Sequence, residues 1–414
     1  MKSAFKSQVS GPGSRTPGAP GTPIPASISA LPERAGELQA LLATWAEINS
    51  GSDNAFGLER MLAVLRAQFS KLPDVIVDEF PLTDNTARAL RVRSRPTESL
   101  QVLMSGHYDT VYGAEHPFQH CTLLDAETLR GPGVCDMKGG LVVMLATLQA
   151  FEQSQAASKL GWEVIIGPDE ETGSTGTAPI LAAIAKRHAF GLVFEPARSN
   201  GDLVKSRKGT GIFSAICYGR AAHAGRNPGE GCNAILALAE FLPMVDRLNL
   251  ELPGVMLNVG SIRGGGAVNI VPDFAQAEIN IRITRRSDEV LVLRRLGELA
   301  ASINSRPGYR LEIAGRFNRP PKESTPAEER IFAAWQSCGR ELGADFSWMH
   351  VGGGSDGNLL SAAGLPNLDG LGPVGDRMHS PEEFVRLPTL VERAQIAALF
   401  LHRLASGELD LAGG

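Results

Sequence analysis

The sequence predicts an α/β fold in which a mostly parallel sheet lies between helices and is interrupted by a smaller α+β unit. Three observations favour this class. Apolar strand-like runs alternate with helical patterns in the first half of the chain, and the same character returns near its end. A compact β-α-β-β-α-β pattern, typical of ferredoxin-like modules, stands between these two parts. The 414 residues suffice for two or three domains of ordinary size.

Residues 1–30 are expected to form a disordered leader, with the ordered chain beginning near Leu31. This segment contains GPGSRTPGAPGTPIPAS and lacks the apolar region of a secretory signal, so export is not indicated. A start codon assigned upstream of the true one would give the same pattern.

The first part of the α/β domain is predicted over residues 31–205. Two helices come first, over ELQALLATWAEIN, whose apolar residues recur at helical spacing, and over residues 57–72. Three strands follow, DVIVDEFPL, ALRVRSR and SLQVLMSGH. DMKGG then opens the helix LVVMLATLQAFEQ, and the strands WEVIIGP and GLVFEP flank the helix TAPILAAIAKRHA. Apolar strands alternating with helices predict a mostly parallel sheet that is covered on both faces.

The inserted unit is predicted over residues 206–318, and the α/β domain resumes over residues 319–414. The predicted strands of the inserted unit are GTGIFSAICYGRAAHAG, VMLNVGSIRGG, FAQAEINIRITRR and YRLEIAGRF, and its predicted helices are CNAILALAEFLPMV and DEVLVLRRLGELAASI. A strand-rich module with an exposed edge can pair with a second copy of itself. A homodimer through the inserted unit is therefore expected.

Composition excludes several classes of function. The net charge of -5 gives no general reason to expect binding to nucleic acid or to an anionic membrane. No run approaches the roughly 18 consecutive apolar residues of a membrane span. The five cysteines are dispersed and form no CxxC pair, which indicates neither a disulfide framework nor a thiolate zinc site. A reducing, cytoplasmic location is the simpler interpretation, and Cys135 is either a reactive thiol or a packed small residue.

Five residues with metal-binding side chains follow strand-like or loop segments. They are His107 in LMSGHYDT, Asp136 in GPGVCDMKGG, Glu171 in GPDEETGS, Glu195 in LVFEP and His379 in DRMHSPEE. Several follow apolar strands, and sites in open α/β sheets are built at the carboxyl ends of such strands. Two imidazoles and three carboxylates suit a pair of divalent cations, and the mixed ligand types suit zinc, cobalt or manganese rather than magnesium or calcium.

Each residue taken alone has a simpler interpretation. His107 could be a structural histidine, although Asp109 two residues later could orient its ring as a metal-bound imidazole requires. Asp136 could cap the helix that follows it. The adjacent pair Glu170 and Glu171 could lie on the surface, but the apolar strand before it disfavours this, because two buried carboxylates repel each other unless a cation or proton lies between them.

The five residues together predict a hydrolytic centre. Two cations that share a water lower its pKa and polarise a substrate carbonyl. A further carboxylate is needed as a base, to take the proton of that water and pass it to the leaving amine. Glu170 is the candidate for this base.

The motifs in this order and spacing resemble the M20 family of dinuclear zinc peptidases, and among them the glutamate carboxypeptidases of the carboxypeptidase G2 type. The segments that carry the resemblance are HYDT, DMKGG, DEETGS, FEP, AAHAG, NIVP, GGGSDGN and GPVGDRMHS. It extends over residues 31–404.

The resemblance implies two zinc ions. His107 and Glu195 would bind one, Glu171 and His379 the other, and Asp136 would bridge them. Cys135, beside the bridging residue, departs from the pattern expected for the family.

The resemblance also implies roles for residues beyond the metal ligands. Asp109 would orient His107, and Glu170 would act as general base and acid. The inserted unit would serve as a lid and dimerisation module. From it, His223 would stabilise the oxyanion, in its own active site or across a dimer.

Substrate contacts are implied for four further residues. Asn269 and Arg282 would bind the free carboxylate of the substrate, a task for which a planar guanidinium is well suited. Gly353 and Gly354 would lie near the substrate. Without the family pattern, His223 and Asn269 read as turn residues, Arg282 as an exposed strand residue, and the two glycines as flexible turn positions.

The sequence therefore predicts a two-metal hydrolase that cleaves an amide next to a free carboxylate, in small peptides or N-acyl amino acids. C-terminal glutamate is favoured by the resemblance alone. The alternatives are an N-acyl amino acid deacylase or dipeptidase on the same scaffold, and a non-catalytic metal-binding protein of peptidase fold.

Overall fold

A computed structural model describes most of the chain: residues 22–82, 87–409 and 411. The predicted leader lies outside these ranges up to residue 21. Its remaining residues are folded, because Ile28 is buried and the Ser27 hydroxyl donates a hydrogen bond of 2.8 Å to the carbonyl of Ala150. The ordered chain thus begins before Leu31. A single apolar residue such as Ile28, in a segment rich in glycine and proline, was too weak a signal to predict ordered structure from the sequence.

The described residues contain ten α-helices. In chain order they are α1 Ala26–Ser29, α2 Ala35–Ala46, α3 Ala55–Phe69, α4 Lys138–Glu152, α5 Ala178–Ala185, α6 Ala234–Glu251, α7 Ser287–Asn304, α8 Pro326–Glu341, α9 Asp356–Ala362 and α10 Pro388–Ala405.

The same part of the chain contains sixteen strands. They are β1 Val75–Pro81, β2 Arg88–Ser94, β3 Gln101–His107, β4 Thr122–Leu123, β5 Thr128–Arg130, β6 Gly161–Gly167, β7 Phe190–Val193, β8 Leu203–Arg207, β9 Gly209–Tyr218, β10 Met256–Gly264, β11 Phe274–Ile283, β12 Arg310–Arg319, β13 Trp348–Val351, β14 Asn367–Asp369, β15 Gly375–Asp376 and β16 Phe384–Arg386.

The largest sheet has eight strands in the order β1-β2-β6-β3-β7-β14-β8-β13. Its centre, β6-β3-β7-β14, is parallel, whereas β1 and β2 are antiparallel additions at one edge. At the other edge β8 runs antiparallel to β14, and β13 runs parallel to β8. The prediction of a mostly parallel sheet is confirmed.

Helices cover both faces of this sheet. The apolar residues of β3 alternate between the two sides: Val102 and Met104 belong to the core with α2, α4, α8 and α10, and Leu103 belongs to the core with α5 and α9. Gly140 allows α4 to approach the sheet closely, because a Cβ at this position would lie 1.9 Å from the carbonyl oxygen of Phe194. The glycine pair of DMKGG thus sets the position of the loop before α4.

The inserted unit is a separate four-stranded antiparallel sheet in the order β10-β11-β9-β12. Its apolar core lies between this sheet and the helices α6 and α7. The chain order β9-α6-β10-β11-α7-β12 with this strand order is the ferredoxin-like arrangement, which confirms that part of the predicted fold.

The limits of the inserted unit differ slightly from the predicted 206–318. Ser206 and Arg207 end β8 in the large sheet, and the module begins with Gly209. The reason is the Arg207 guanidinium, which is buried and donates to both carboxylate oxygens of Asp369, at 2.6 and 2.7 Å. The chain enters the module after Arg207 and leaves it before Lys322. These two connecting segments are joined by paired backbone hydrogen bonds between Arg207 and Lys322, at 3.0 and 3.1 Å.

A third small sheet, β15-β16-β5-β4, was not predicted. Its strands of two or three residues are too short to show an alternating pattern. It joins the segment before α4 to the segment before α10, which carry Asp136 and His379 respectively.

Within the described residues, no helix has the length and hydropathy needed to cross a membrane.

Candidate metal centre

Three neighbouring parallel strands bring potential ligands to one edge of the large sheet. β3 ends at His107, β7 ends two residues before Glu195, and β6 is followed by a 3₁₀ turn over Glu170–Thr172. Because these strands are parallel and adjacent, their carboxyl ends meet. The ends of three adjacent strands therefore bring His107, Glu195 and the turn over Glu170–Thr172 to the same place.

His107 lies at the centre of this edge and is fully buried. Its Nε2 atom lies 3.2 Å from Oδ1 of Asp136 and 3.6 Å from Oε1 of Glu195. On the other side of the ring, Nδ1 lies 3.2 Å from Oδ1 of Asp109. Nε2 therefore faces the carboxylates while Asp109 orients the ring, the arrangement that a metal-binding histidine requires.

Asp136 does not cap α4. The helix begins at Lys138, and no side chain makes a capping hydrogen bond at its first turn. One oxygen of Asp136 faces the Nε2 atom of His107 at 3.2 Å, and the other faces the Nε2 atom of His379 at 3.4 Å. This carboxylate thus presents one oxygen to each of two imidazoles.

His379 reaches the same place from the loop after β15. Its Nε2 atom lies 3.2 Å from Oε2 of Glu171, and its backbone has a φ of 62°. The donor atoms of His107, Asp136 and Glu171 all lie within 4.8 Å of one another. The site therefore has two halves, His107 with Glu195 and Glu171 with His379, and Asp136 belongs to both.

The charges of this cluster call for cations. Burial, and then the charge of Asp136, raise the pKa of Glu171 to about 7. The same two causes raise the pKa of Glu195 well above its usual range. Three carboxylates and two imidazoles at these distances fit two divalent cations of the kind that accept both nitrogen and oxygen ligands.

Glu170 and Glu171 do not form a surface pair. Their side chains are only 10% and 7% exposed, respectively. Their backbone N–H groups donate to the two carboxylate oxygens of Asp109, each at 3.1 Å. Asp109 therefore holds the 3₁₀ turn as well as the ring of His107.

The carboxylate of Glu170 makes no ion pair with either histidine of the cluster and pairs instead with Arg319. Arg319 ends β12, where the chain returns from the ferredoxin-like module, and it also donates a hydrogen bond of 3.0 Å to Ser174. Gly354 leaves room for it, since a Cβ there would lie 2.7 Å from Cδ of Arg319. Arg319 was not predicted from the sequence, where its place beside the predicted boundary was the sole signal.

Glu383 is a second residue of the site that was not predicted from the sequence. Its buried carboxylate accepts hydrogen bonds from the backbone N–H groups of Gly133, Cys135 and Asp136, at 3.1, 2.9 and 3.0 Å. The Tyr112 hydroxyl donates a fourth, at 2.8 Å. The available signal was a glutamate four residues after His379, which is weak by itself.

Cys135 is fully buried, and burial is the main cause that raises the pKa of its thiol well above the usual range. A protonated, inaccessible thiol is a packed residue rather than a nucleophile.

A cleft of about 470 Å³ opens beside the metal ligands. Gly353 and Gly354 line it, as do Asp136, Glu170, Glu171, Glu195 and His379. Arg282, near the end of β11, is not among the described residues that line this cleft, but its Nη1 atom lies 3.4 Å from the carbonyl oxygen of Gly352, which does line it.

His223 and Asn269 lie elsewhere in this conformation. Both are exposed on neighbouring loops of the ferredoxin-like module, where the N–H of Ala224 donates to the carbonyl of Asn269 at 2.9 Å. Neither is among the described residues that line the cleft. The structure thus brings these two residues together, but not to the metal ligands of the same chain.

The fold and the site define a metal-dependent hydrolase. Residues 103–403 match the model of the family described as Peptidase family M20/M25/M40, and this chain belongs to that family. The family is metal-dependent, and its members hydrolyse peptide or related amide bonds.

Individual relatives agree with this assignment. Carboxypeptidase G2 of Pseudomonas sp. (strain RS-16) is 25% identical over 328 residues, covering 77% of each chain. A succinyl-diaminopimelate desuccinylase of Thioalkalivibrio sulfidiphilus is 27% identical over 332 residues, covering 75% of this chain and 85% of the relative.

Solved structures share the fold. The aminopeptidase PepT of Bacillus cereus superposes with a TM-score of 0.76 at 20% identity, covering 90% of this chain and 99% of the other. A dinuclear metal-binding peptidase of the M20 family from Bacillus subtilis superposes with a TM-score of 0.69 at 14% identity, covering 91% and 99%.

Proposed function

We propose that this protein is a two-metal hydrolase that cleaves an amide bond next to a free carboxylate, acting on small peptides or N-acyl amino acids as a carboxypeptidase. One observation carries the proposal. The two oxygens of Asp136 face two different imidazoles, while Glu170 stands beside them without facing either. A bridging ligand and a separate base are what hydrolysis by two metals requires.

The proposed ligands are His107 and Glu195 for one ion, Glu171 and His379 for the other, and Asp136 for both. When bound, the two divalent ions supply a water of lowered pKa and polarise the substrate carbonyl. Zinc is proposed, with cobalt or manganese as alternatives, because the ligand set mixes imidazole with carboxylate.

The proton is carried by Glu170. Its carboxylate accepts a proton from the attacking water and donates it to the nitrogen of the leaving amine as the amide bond breaks. Asp109 holds the backbone of Glu170 and Glu171 in place, so that the proposed base, Glu170, keeps a fixed position relative to the proposed ligand, Glu171. Arg319 holds the carboxylate of Glu170 from the opposite side.

The ferredoxin-like module is proposed to supply the substrate contacts. Arg282 would bind the free carboxylate, and its position beside Gly352 at the cleft supports this role. His223 and Asn269 would complete the site, for the oxyanion and the carboxylate respectively, either after the module moves as a lid or from a partner subunit. Gly353 and Gly354 would contact the substrate through their backbone groups.

A homodimer is proposed through the same module. β10 forms one edge of its sheet and exposes apolar side chains at Met256, Val259 and Ile262. Exposed edge strands of this kind pair readily with a second copy. The five cysteines are all free, which supports the proposed cytoplasmic location.

Two neighbouring activities remain as alternatives. A relative named a desuccinylase covers 75% of this chain, close to the 77% that the carboxypeptidase relative covers, which favours an N-acyl amino acid deacylase or dipeptidase as the second candidate. A non-catalytic metal-binding protein is disfavoured because it would have no need of Glu170.

A hydrolysis screen with the metal-reconstituted protein tests the proposal. The panel consists of acyl-glutamates, dipeptides and acetyl-amino acids, with and without a chelator. We expect chelator-sensitive release of an amino acid, and a loss of about three orders of magnitude or more in kcat for Glu170→Gln with metal content retained. Inertness toward the whole panel while fully loaded with metal, or turnover at the wild-type rate by Glu170→Gln, would contradict it.

Arg282→Met provides the corresponding test of substrate binding. We expect KM for carboxylate substrates to rise about tenfold or more, because a guanidinium–carboxylate contact is lost. An unchanged kcat/KM on every carboxylate substrate would remove this role.

A further inference from the structure

Arg198 lines the cleft beside the metal ligands and has no acidic partner among the described residues. It follows Glu195 by three residues and lines the same cleft as Glu195 and His379. Its Nε atom is buried and makes no hydrogen bond among the described residues. Within that part of the chain, no carboxylate lies within ion-pair distance of its guanidinium.

Other arginines at this site are neutralised. Arg207, which lines the same cleft, is held by both oxygens of Asp369, and Arg319 pairs with Glu170. Leaving a partly buried guanidinium unpaired is costly, since its loss of hydration is not compensated. The charge of Arg198 is therefore available for a ligand.

Metal loading would make the cleft electropositive. Two divalent cations contribute four positive charges against the three carboxylates of Asp136, Glu171 and Glu195, and Glu170 is already balanced by Arg319. Arg198 adds to this excess from the α/β domain, and Arg282 of the module contacts Gly352, which lines the cleft. Such a cleft favours anionic over neutral substrates.

We propose that Arg198 binds a second carboxylate of the substrate, so that the enzyme prefers dianionic amides. This inference rests on the proposed function, in which Arg282 holds the first carboxylate. Met349 and Met378 line the same cleft and can contact the methylene groups that separate two carboxylates. The second carboxylate belongs either to the acyl group or to the side chain of the released residue.

Two isosteric substrate pairs distinguish these sources. One pair differs in the acyl group, succinyl against succinamoyl, and the other differs in the released residue, glutamate against glutamine. In each pair a carboxylate is replaced by an amide of the same shape, so that the difference in kcat/KM reports charge recognition.

We expect the metal-reconstituted enzyme to prefer the carboxylate member of at least one pair by about tenfold or more, the size of one charge-assisted hydrogen bond. Arg198→Met should reduce this preference to about twofold or less, mainly through KM. Arg330→Met is the matched control, because it removes one positive charge from an exposed position on α8 outside the cleft. It should keep the wild-type preference.

A wild-type enzyme that shows no carboxylate preference in either pair would overturn the proposal, and so would an Arg198→Met enzyme that retains it. Arg198→Gln provides a second variant if Arg198→Met unfolds, which circular dichroism reports.

Binding measured by calorimetry tests the role of Arg198 separately from the proposed hydrolase function. If the loaded enzyme hydrolyses neither these four compounds nor any member of the wider hydrolysis panel, the proposed function fails. The binding constants of the four compounds, for wild type and for the Arg198 variant, then decide the role of Arg198. A carboxylate preference that is lost in the variant supports it, and an equal affinity for both members overturns it.

Discussion

The carboxylate of Glu383 accepts a hydrogen bond of 3.0 Å from the backbone N–H of Asp136, although 247 residues separate them in the chain. The same carboxylate also accepts from the N–H groups of Gly133 and Cys135 and from the hydroxyl of Tyr112. Glu383 therefore determines the conformation of the loop that carries the bridging carboxylate, without itself facing the proposed cations.

Glu383→Gln should weaken metal binding. The amide nitrogen of glutamine cannot accept the N–H groups that one carboxylate oxygen now accepts, so the loop before α4 loses its conformation. We expect metal affinity or activity to fall about 10- to 100-fold, the usual effect of removing a residue that supports a ligand. Competition with a chromophoric chelator measures the affinity. The neighbouring Glu382→Gln, an exposed position, should have no such effect, and equal affinities for both variants would contradict the assignment.

Arg319→Met should destabilise the metal-free protein. It leaves Glu170, whose side chain is 10% exposed, without its cationic partner. We expect a loss of about 3 kcal/mol in the free energy of unfolding. This is the lower end of the cost of removing one partner from a buried ion pair, because water in the cleft reaches Glu170. Urea unfolding measures this loss, and Arg316→Met, on an exposed position of the same strand, is the control. A loss no larger than that of the control would show that the ion pair contributes little.

Lys322 and Glu328 form a fully buried ion pair at the base of the module. Lys322→Met alone should cost about 3–5 kcal/mol, because it leaves a buried carboxylate unpaired. Adding Glu328→Gln should restore at least about 1 kcal/mol, since the buried charge is removed, although the one remaining oxygen can accept from only one of the N–H groups of Thr325 and Asn367.

The exposed pair of Lys205 and Glu329 provides the comparison for this double variant. Glu329→Gln should change the free energy of unfolding by less than about 1 kcal/mol. If the Lys322/Glu328 double variant were less stable than Lys322→Met, the unpaired charge would not be the source of the loss.

His188 should make stability depend on pH. Burial lowers the pKa of its imidazole below 6.5, and the carbonyl of Ile184 and the charge of Glu163 offset this only in part. As the pH falls, the unfolded chain therefore binds the proton first. The stability associated with the neutral ring is complete above pH 6.5 and is lost as the pH falls from 6.5 toward the lower folded pKa.

The measurement is the difference in unfolding free energy between wild type and His188→Asn, in metal-free protein from about pH 7.5 to about pH 5. The wild-type advantage should shrink with decreasing pH. His120→Asn, at an 84% exposed side chain, is the control for the substitution itself. A wild-type advantage that grows as the pH falls would show that folding raises the pKa of His188 rather than lowering it.

Much of the fold could be predicted from local patterns. The strands ending at His107 and near Glu195 are largely apolar runs, and β9 and β11 alternate over most of their length. The two- and three-residue strands of the small sheet could not be predicted, because they contain less than two periods of alternation. The boundary at Arg207 was displaced for a related reason: an arginine in a strand indicates exposure, and its burial depends on Asp369, far along the chain.

The sequence by itself determined the fold class, many of the longer helices and strands and the chemical identity of the five proposed ligands, because these depend on short-range periodicity and on side-chain chemistry. Only the tertiary structure decided which groups orient them. Glu383 supports the Asp136 loop, Arg319 holds Glu170, and Arg198 remains unpaired in the cleft. Such relations follow from packing between segments more than a hundred residues apart, and no local pattern records which distant side chain meets which.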